Sequence, residues 1–179
     1  MAGDIIFKKL EAAALDQVSR FRMAAESDAA LQIFLRRFAK KSADASLTKT
    51  YVAKQAGTPQ VIGYITIMCA QVALAKTYDI PDKAGADGWD YHPAVRIARL
   101  GVADDHRATG LGKKLVELAL GMIAGYIEPH VGCRFVIVDA KLQSVGFYER
   151  LGFRLLDTAG NRASETPLMF LDLKAHVAR

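Results

Sequence analysis

The sequence has few cysteines. Its 179 residues contain two, Cys69 and Cys133, and both lie in apolar runs. Two widely spaced cysteines exclude a disulfide framework and offer no zinc-ligand spacing, so no metal site is expected. Because cysteines in apolar runs are usually buried and reduced, we expect two buried thiols in a cytoplasmic protein.

Long hydrophobic runs are also missing. No apolar stretch approaches the about 20 residues that span a bilayer as a helix, so no membrane partner is expected. The opening residues, MAGDIIFKKLEAAALDQ, include acidic side chains and no cleavage-site pattern, which argues against a secretory signal. These absences leave a globular protein as the expectation.

Length and charge describe one domain with a basic excess. A chain of 179 residues can bury a substantial core, and we expect a single domain over residues 1–179. Hydrophobic residues make up 51% and charged residues 24% of the chain, and the net charge is +5. This charge permits a polyanionic partner, including a nucleotide-bearing cofactor, but does not by itself indicate nucleic acid.

Helical and strand patterns alternate along the chain and predict a mixed α/β protein. The clearest helix covers residues 28–41, where Leu31, Phe34, Leu35 and Phe38 share one face. The other predicted elements are a strand at 4–8, a helix at 11–25, a hairpin of 49–54 and 60–70, a long loop at 77–92, a strand at 134–138, a short helix at 143–150 and closing strands at 153–157 and 168–173.

The most distinctive segment, residues 95–118, reads VRIARLGVADDHRATGLGKKLVEL. An apolar run leads through a charged turn into a loop at 107–112, and an amphipathic helix follows. The N–H groups in the first turn of a helix lack partners and carry partial positive charge, which favours a phosphate. Gly110 and Gly112 let the backbone approach an anion, and Arg107 can add a forked cationic donor. The segment therefore has the form of an anion site.

An ordinary tight turn between strand and helix would give the same pattern. The Walker spacing GxxxxGK[ST] is absent, which argues against a P-loop nucleotide site. The dinucleotide spacing GxGxxG is absent as well, and no acidic residue ends a second strand in the required position. Shape alone leaves the phosphate site and the simple turn both open.

A second segment gives the loop a more specific meaning. Residues 139–153 read DAKLQSVGFYERLGF and follow an apolar strand. The loop RATGLG resembles the R/Q-x-x-G-x-G/A pyrophosphate loop of the Gcn5-related N-acetyltransferases (the GNAT superfamily), and SVGFYERLGF resembles their A-x-x-F-Y-x-x-x-G-F motif. The resemblance covers residues 49–173. It departs at Ala108, Lys141 and Ser144, where glycine, asparagine and alanine are frequent.

The resemblance implies an α/β fold in which a mixed, mostly antiparallel twisted sheet is flanked by helices and contains a splayed central strand pair. Acetyl-CoA would be the co-substrate, with its pantetheine arm along the backbone of Leu100, Gly101 and Val102. The residues expected to contact its pyrophosphate are Arg107, Ala108, Thr109, Gly110, Leu111, Gly112 and Lys113. Ser144 is expected to contact the cofactor as well.

The same pattern assigns Tyr148 as the general acid. It would protonate the departing thiolate of CoA while the acetyl group passes directly to a primary amine. Outside this family, a tyrosine beside Phe147 and Phe153 would be interpreted as a core aromatic residue. No general base stands out; His92, just before the cofactor strand, is one candidate, and a neutral amine would need none.

The acceptor amine is less determined, because the superfamily acetylates small molecules, proteins and metabolites. Residues 34–53, 93–120 and 164–173 are similar to acetyltransferase toxins of bacterial toxin–antitoxin pairs, which acetylate the amino group of aminoacyl-tRNA. That resemblance implies an antitoxin protein as a candidate partner, and the dimers common in the superfamily make a homodimer a candidate state. The alternatives are another acceptor amine, or a non-catalytic sensor that only binds acyl-CoA.

A tRNA substrate would require basic side chains near the acceptor entrance. Two groups of residues are candidates: Arg36, Arg37, Lys40 and Lys41 late in the second predicted helix, and Arg96, Arg99, Lys113 and Lys114 around the cofactor strand. Cations at a helix C-terminus are equally explained by the helix dipole, so the first group leaves both interpretations open.

Overall fold

The sheet is mixed and has seven strands. The computed structural model describes residues 4–11, 17–74, 77–82 and 88–177. The strands are β1 (Ile5–Lys9), β2 (Lys49–Gln55), β3 (Val61–Val72), β4 (His92–Val102), β5 (Phe135–Asp139), β6 (Arg154–Leu155) and β7 (Leu168–Asp172), in the order β1-β2-β3-β4-β5-β7-β6. The β4–β5 pair is parallel, whereas β1–β2, β2–β3, β5–β7 and β6–β7 are antiparallel, which confirms the predicted mixed, mostly antiparallel sheet.

Only one α-helix among the described residues is longer than six residues. The α-helices are α1 (Ala29–Ile33), α2 (Ala39–Asp44), α3 (Leu111–Met122), α4 (Val145–Glu149), α5 (Ala159–Arg162) and α6 (Leu173–Val177). A π-helical turn, Phe34–Phe38, joins α1 to α2, and a second one, Ile123–Ile127, extends α3. The helix predicted over 28–41 is therefore present, but it contains a turn with one more residue than α geometry. No helix among the described residues is long and apolar enough to cross a bilayer.

The first of two compact units consists of Met1–Met68 and Ala98–Ala119. Its core lies between the helical segment and the predicted hairpin, which pairs Lys49 with Ile67 at its open end. Tyr64 is central to it: the side chain is fully buried, and its hydroxyl donates to the Leu31 carbonyl at 2.8 Å. The apolar face of α1 and the π-helical turn covers β3 in this way.

The second unit consists of Cys69–Ile97 and Leu120–Arg179. Its core contains Phe135 and Phe170, whose rings meet edge to face at 6.1 Å. The parallel register of β4 and β5 runs from Ala94 opposite Phe135 to Ile97 opposite Val138. Phe135–Val138 is an unbroken buried run, as expected for a strand with both faces covered.

The structure overturns the helix predicted over residues 11–25. Residues 12–16 of that prediction lie outside the described residues, and of the remainder only Val18–Arg20 forms a short 3₁₀ turn. The following backbone is extended because side chains bind its N–H groups: Met23 donates to Gln32 Oε1, and Ala24 donates to an Asp104 carboxylate oxygen. Tertiary partners replace the intrahelical bonds that the sequence pattern suggested.

Both cysteines are free thiols, but only Cys133 is buried, whereas Cys69 is exposed on β3. The expectation of burial was therefore wrong for Cys69, because it falls on the exposed side of a strand that is buried on both faces only before Met68. Of the predicted loop at 77–92, residues 83–87 lie outside the described residues.

Candidate active site

The loop at residues 107–112, called the phosphate loop below, connects a 3₁₀ turn (Asp104–His106) to helix α3. Ala108 and Gly110 both have left-handed backbones, with φ of +58° and +82°. The Thr109 hydroxyl donates to the His106 carbonyl at 2.7 Å and fixes the turn from inside. Residues 107–110 are exposed, so the loop presents its backbone to the surface.

Helix α3 begins within this loop, at Leu111. The first helical bond runs from the Lys114 N–H to the Gly110 carbonyl at 3.1 Å, which leaves the N–H groups of Leu111, Gly112 and Lys113 without an intrahelical acceptor. Leu111 is fully buried and anchors the helix start, whereas Lys113 is exposed and lies 3.6 Å from Glu117. The predicted arrangement of strand, loop and helix N-terminus is confirmed.

Open space lies beside the loop backbone. A Cβ atom added at Gly110 would meet no atom within 4 Å, so the glycine serves the left-handed conformation rather than a close protein contact. N–H groups at a helix N-terminus, with open space before them, fit a phosphate group.

The Arg107 side chain is directed to two carboxylates. Its Nη2 lies 2.6 Å from Asp28 Oδ2, and its Nε lies 2.9 Å from Asp104 Oδ1. The Asp28 side chain is only 10% exposed, and its hydrogen bond raises the pKa of Arg107 above the usual value. Sequence patterns do not predict this pairing, since an aspartate before a helix usually serves as its N-terminal cap.

The strand segment predicted to line the pantetheine arm, residues 100–102, ends β4. Leu100 and Val102 are half-buried, while Gly101 is buried against Tyr64. A Cβ at Gly101 would lie 2.5 Å from Tyr64 Cε1, closer than side-chain atoms approach each other. Gly101 is therefore required by packing, one of the two explanations that a glycine in a strand allows.

Tyr148 is on α4 and is 5% exposed. Its ring meets Phe147 at 5.0 Å and Phe153 at 5.4 Å, both edge to face. Burial raises the pKa of its hydroxyl, and no described residue forms a hydrogen bond with that hydroxyl. A buried phenol without a partner has a proton to donate, and burial in a packed aromatic cluster holds it in place.

Ser144 lies immediately before α4. It closes the 3₁₀ turn Leu142–Ser144, with its N–H on the Lys141 carbonyl at 2.7 Å, and it makes no side-chain capping bond to the helix. His92, the candidate base, is buried at the start of β4 with its ring edge to face on Phe135 at 5.7 Å. The structure brings His92 and Phe135 together as neighbours in a core.

Of the basic residues that the sequence analysis singled out, some bind other groups of the protein and others are exposed. Arg36 donates from Nε to the Phe21 carbonyl at 3.1 Å, and Arg96 pairs with Asp139. Arg37, Lys41 and Arg99 are exposed, and the Arg99 guanidinium lies 5.4 Å from the Phe34 ring centroid. Within the described ranges, no group of His, Cys, Asp or Glu has a metal-binding arrangement.

Comparison with known proteins finds a family whose model matches more than half of the chain. The model of the acetyltransferase (GNAT) domain matches residues 46–155. No curated protein sequence matches the chain.

Solved structures resemble the fold over nearly its whole length. A tyrosine-to-phenylalanine mutant of KacT is 21% identical, with a TM-score of 0.83 over 97% of this chain and 98% of that one. AtaT complexed with acetyl-methionyl-tRNAfMet is 22% identical, with a TM-score of 0.83 over 98% of both chains. A mutant AtaT bound to the C-terminus of the antitoxin AtaR and acetyl-CoA is 22% identical, with a TM-score of 0.75 over 98% of this chain and 97% of that one.

Proposed function

The chain belongs to the GNAT acetyltransferase family, and from that membership we propose that it transfers the acetyl group of acetyl-CoA to the amino group of an aminoacyl-tRNA. Residues 1–179 act as one catalytic domain in this proposal. The observation that carries it is the phosphate loop, whose left-handed Ala108 and Gly110 turn the backbone into the N-terminus of α3.

The donor site fits a pyrophosphate. Acetyl-CoA supplies an activated acetyl thioester and a doubly charged pyrophosphate group. The N–H groups of Leu111, Gly112 and Lys113 are the donors available to that group, and the dipole of α3 adds partial positive charge at the same point. Thr109 keeps the loop closed through its bond to the His106 carbonyl, so the donors are held in place before the ligand arrives.

The remaining donor contacts follow the strand and the tyrosine helix. The backbone of residues 100–102 offers strand-type hydrogen bonds to the amides of the pantetheine arm. Ser144, immediately before α4, is the remaining residue that the family resemblance assigns to the cofactor.

Tyr148 supplies the proton that the reaction needs. As the C–N bond forms and the C–S bond breaks, its hydroxyl donates a proton to the departing sulfur. The attacking amine loses one proton to solvent, and the Tyr148 phenolate takes one back from solvent, so the enzyme is restored. Because burial raises the pKa of Tyr148, the hydroxyl is protonated throughout the neutral pH range. General acid catalysis of this kind contributes about 10²- to 10⁴-fold in rate.

An aminoacyl-tRNA acceptor is supported by two observations. The fold resembles that of AtaT, which was solved with acetyl-methionyl-tRNAfMet. The exposed cations Arg37 and Lys41 are available to RNA phosphates. Arg99 is exposed as well, although it donates to the Ala98 carbonyl, whereas Arg36 and Arg96 are only half-exposed and bind the Phe21 carbonyl and Asp139. The proposal implies a cytoplasmic enzyme and, as for AtaT with AtaR, an antitoxin partner that binds it.

The test is acetyl transfer to a panel of amines that includes charged tRNA, followed by mass spectrometry. We expect acetylated aminoacyl-tRNA with the wild type and a fall in kcat of at least about 100-fold for Tyr148→Phe, at nearly unchanged KM for acetyl-CoA. Tyr126→Phe is the matched control, because Tyr126 is 77% exposed and should be silent.

Other results would redirect the proposal. Transfer only to a polyamine, peptide or small metabolite would replace the tRNA acceptor while leaving the acetyltransferase chemistry in place. Acetyl-CoA binding with no turnover on any amine, and with Tyr148→Phe unchanged, would favour the non-catalytic sensor. Harmless expression of an active enzyme in bacteria would contradict a toxin role.

A further inference from the structure

The phosphate loop is tied to a segment far away in the sequence. Residues 21–24, called the connector below, run in extended conformation between the Val18–Arg20 turn and the turn before α1. Two hydrogen bonds join the connector to Asp104, one from the Ala24 N–H to its carboxylate and one from the Asp104 N–H to the Arg22 carbonyl at 3.3 Å. Asp104 begins the turn that leads into the phosphate loop.

The connector is also bound to the helical segment behind it. The Met23 N–H donates to Gln32 Oε1 at 2.9 Å, and Arg36 donates to the Phe21 carbonyl. Gln32 is on α1 and Arg36 is on the π-helical turn that follows. The connector therefore links the helical segment to the entrance of the phosphate loop through polar contacts on both sides.

Arg107 completes this link from the loop side. It bridges Asp104, in the preceding turn, and Asp28, the residue that precedes α1. Asp28 is nearly buried, so its carboxylate requires a partner, and Arg107 provides one at 2.6 Å.

The charges of this cluster decide what Arg107 can do for a ligand. The Arg107 guanidinium faces two carboxylates, so its positive charge is already compensated by counter-ions of the protein. A cation that binds phosphate gains most when its charge is free of protein counter-ions, as in Arg–phosphate pairs. The N–H groups at the start of α3, which have no intrahelical acceptor, carry no such compensation.

We propose that Arg107 is a positioning residue: through Asp28 and Asp104 it fixes the phosphate loop to the connector and the start of α1, and the loop's N–H groups, rather than its guanidinium, bind the pyrophosphate. The sequence resemblance had assigned Arg107 a direct contact with the cofactor. The inference rests on the proposed acetyl-CoA site and adds Asp28 and Asp104 to the residues on which that site depends.

A double-mutant cycle distinguishes the two roles. The positioning role predicts that Asp28→Asn and Arg107→Gln each weaken acetyl-CoA binding about tenfold by calorimetry, and that the double variant is no weaker than either single variant within about twofold. If Arg107 bound the pyrophosphate directly, Asp28→Asn would release the guanidinium and leave affinity unchanged or improved. That result would overturn the inference.

A conservative variant and a control complete the cycle. Arg107→Lys keeps the charge but cannot bridge two carboxylates with a planar fork, so it should lose affinity like Arg107→Gln. Wild-type affinity in Arg107→Lys would show that charge alone matters and would contradict positioning. Arg162→Gln removes a different arginine from an exposed ion pair with Asp157 and should leave binding unchanged.

One readout needs no ligand and therefore separates this inference from the proposed function. Hydrogen exchange of the amides at 104–112, measured without ligand, should accelerate in Asp28→Asn and Arg107→Gln. If the wild type binds no acetyl-CoA, the donor proposal fails, and unchanged exchange in both variants would refute positioning independently.

Discussion

Replacing Gly101 with alanine tests the packing between β4 and the core of the first unit. The new Cβ would lie 2.5 Å from Tyr64 Cε1, with Cδ1 and Cζ at 3.2 and 3.3 Å, so the ring must move. The ring is confined because Phe21 packs against it in a T-shaped arrangement at 5.6 Å, Phe34 stacks on it at 6.4 Å, and its hydroxyl donates to the Leu31 carbonyl.

The expected cost combines two effects. Overpacking of a filled core costs about 1–3 kcal/mol, and loss of the hydroxyl bond would add about 1 kcal/mol. Alanine has less backbone entropy to lose than glycine, which returns about 0.5–1 kcal/mol. We therefore expect Gly101→Ala to lower the free energy of unfolding by about 1–3 kcal/mol, a decrease in melting temperature of about 2–4 °C per kcal/mol.

Urea denaturation followed by circular dichroism measures this loss. Gly121→Ala is the control, since a Cβ there meets nothing within 4 Å and alanine should stabilise α3 by about 0.8–1 kcal/mol. In a Tyr64→Leu background, which removes Cε1, the added cost of Gly101→Ala should fall below about 1 kcal/mol. An equal cost in both backgrounds would refute the clash as its cause.

Two further predictions concern the loop and the second unit. Gly110→Val places a β-branched residue at φ +82° and should weaken acetyl-CoA binding more than about tenfold with an unchanged far-UV circular dichroism spectrum. The control is Gly57→Val, at φ +77° in the hairpin turn, which should lower stability without affecting affinity. If Gly110→Val bound acetyl-CoA as tightly as the wild type, the loop would be only a turn. Burial alone would raise the pKa of Asp172, but hydrogen bonds from Arg134 and Tyr78 outweigh it and lower that pKa. The contribution of Asp172 to stability is thus complete above the unfolded pKa of about 3.9 and is lost as pH falls through the lower folded pKa. The decrease in the free energy of unfolding between pH 6 and pH 3 should therefore be smaller in Asp172→Asn than in the wild type. An identical pH dependence in the two proteins would contradict this.

Local patterns predicted the fold where neighbouring residues determine the structure. The alternating hairpin and the helix with Leu31 and Leu35 on its buried face follow from periodicity, and both are present. The helix prediction over 11–25 failed because residues outside that segment determine its backbone structure. Gln32 and Asp104 bind the backbone N–H groups at 23 and 24, and no window around those positions contains Asp104.

The candidate site was predictable in its elements but not in its contacts. The glycine spacing and the phenylalanine–tyrosine pair predicted a loop before α3 and a short helix carrying Tyr148, and the structure has both. The roles of these residues in binding and proton transfer remain predictions. Arg107 finds Asp28 across 79 positions of sequence, and Gly101 meets Tyr64 only after the strands pair, so neither contact has a local signature.

The π-helical turn Phe34–Phe38 has an evolutionary consequence. Such a turn holds one residue more than an α-helical turn, so deleting a single residue there would restore α geometry and leave α2 facing nearly the same way relative to α1. Leu31 and Gln32, before the turn, would keep their contacts with the first unit and the connector, and Lys41, after it, would stay exposed. The same deletion inside α1 or α2 would rotate every later helical residue by about 100°. The π-helical turn is therefore the position in this segment at which the gene tolerates the loss of one codon without a change in which side chains face the core.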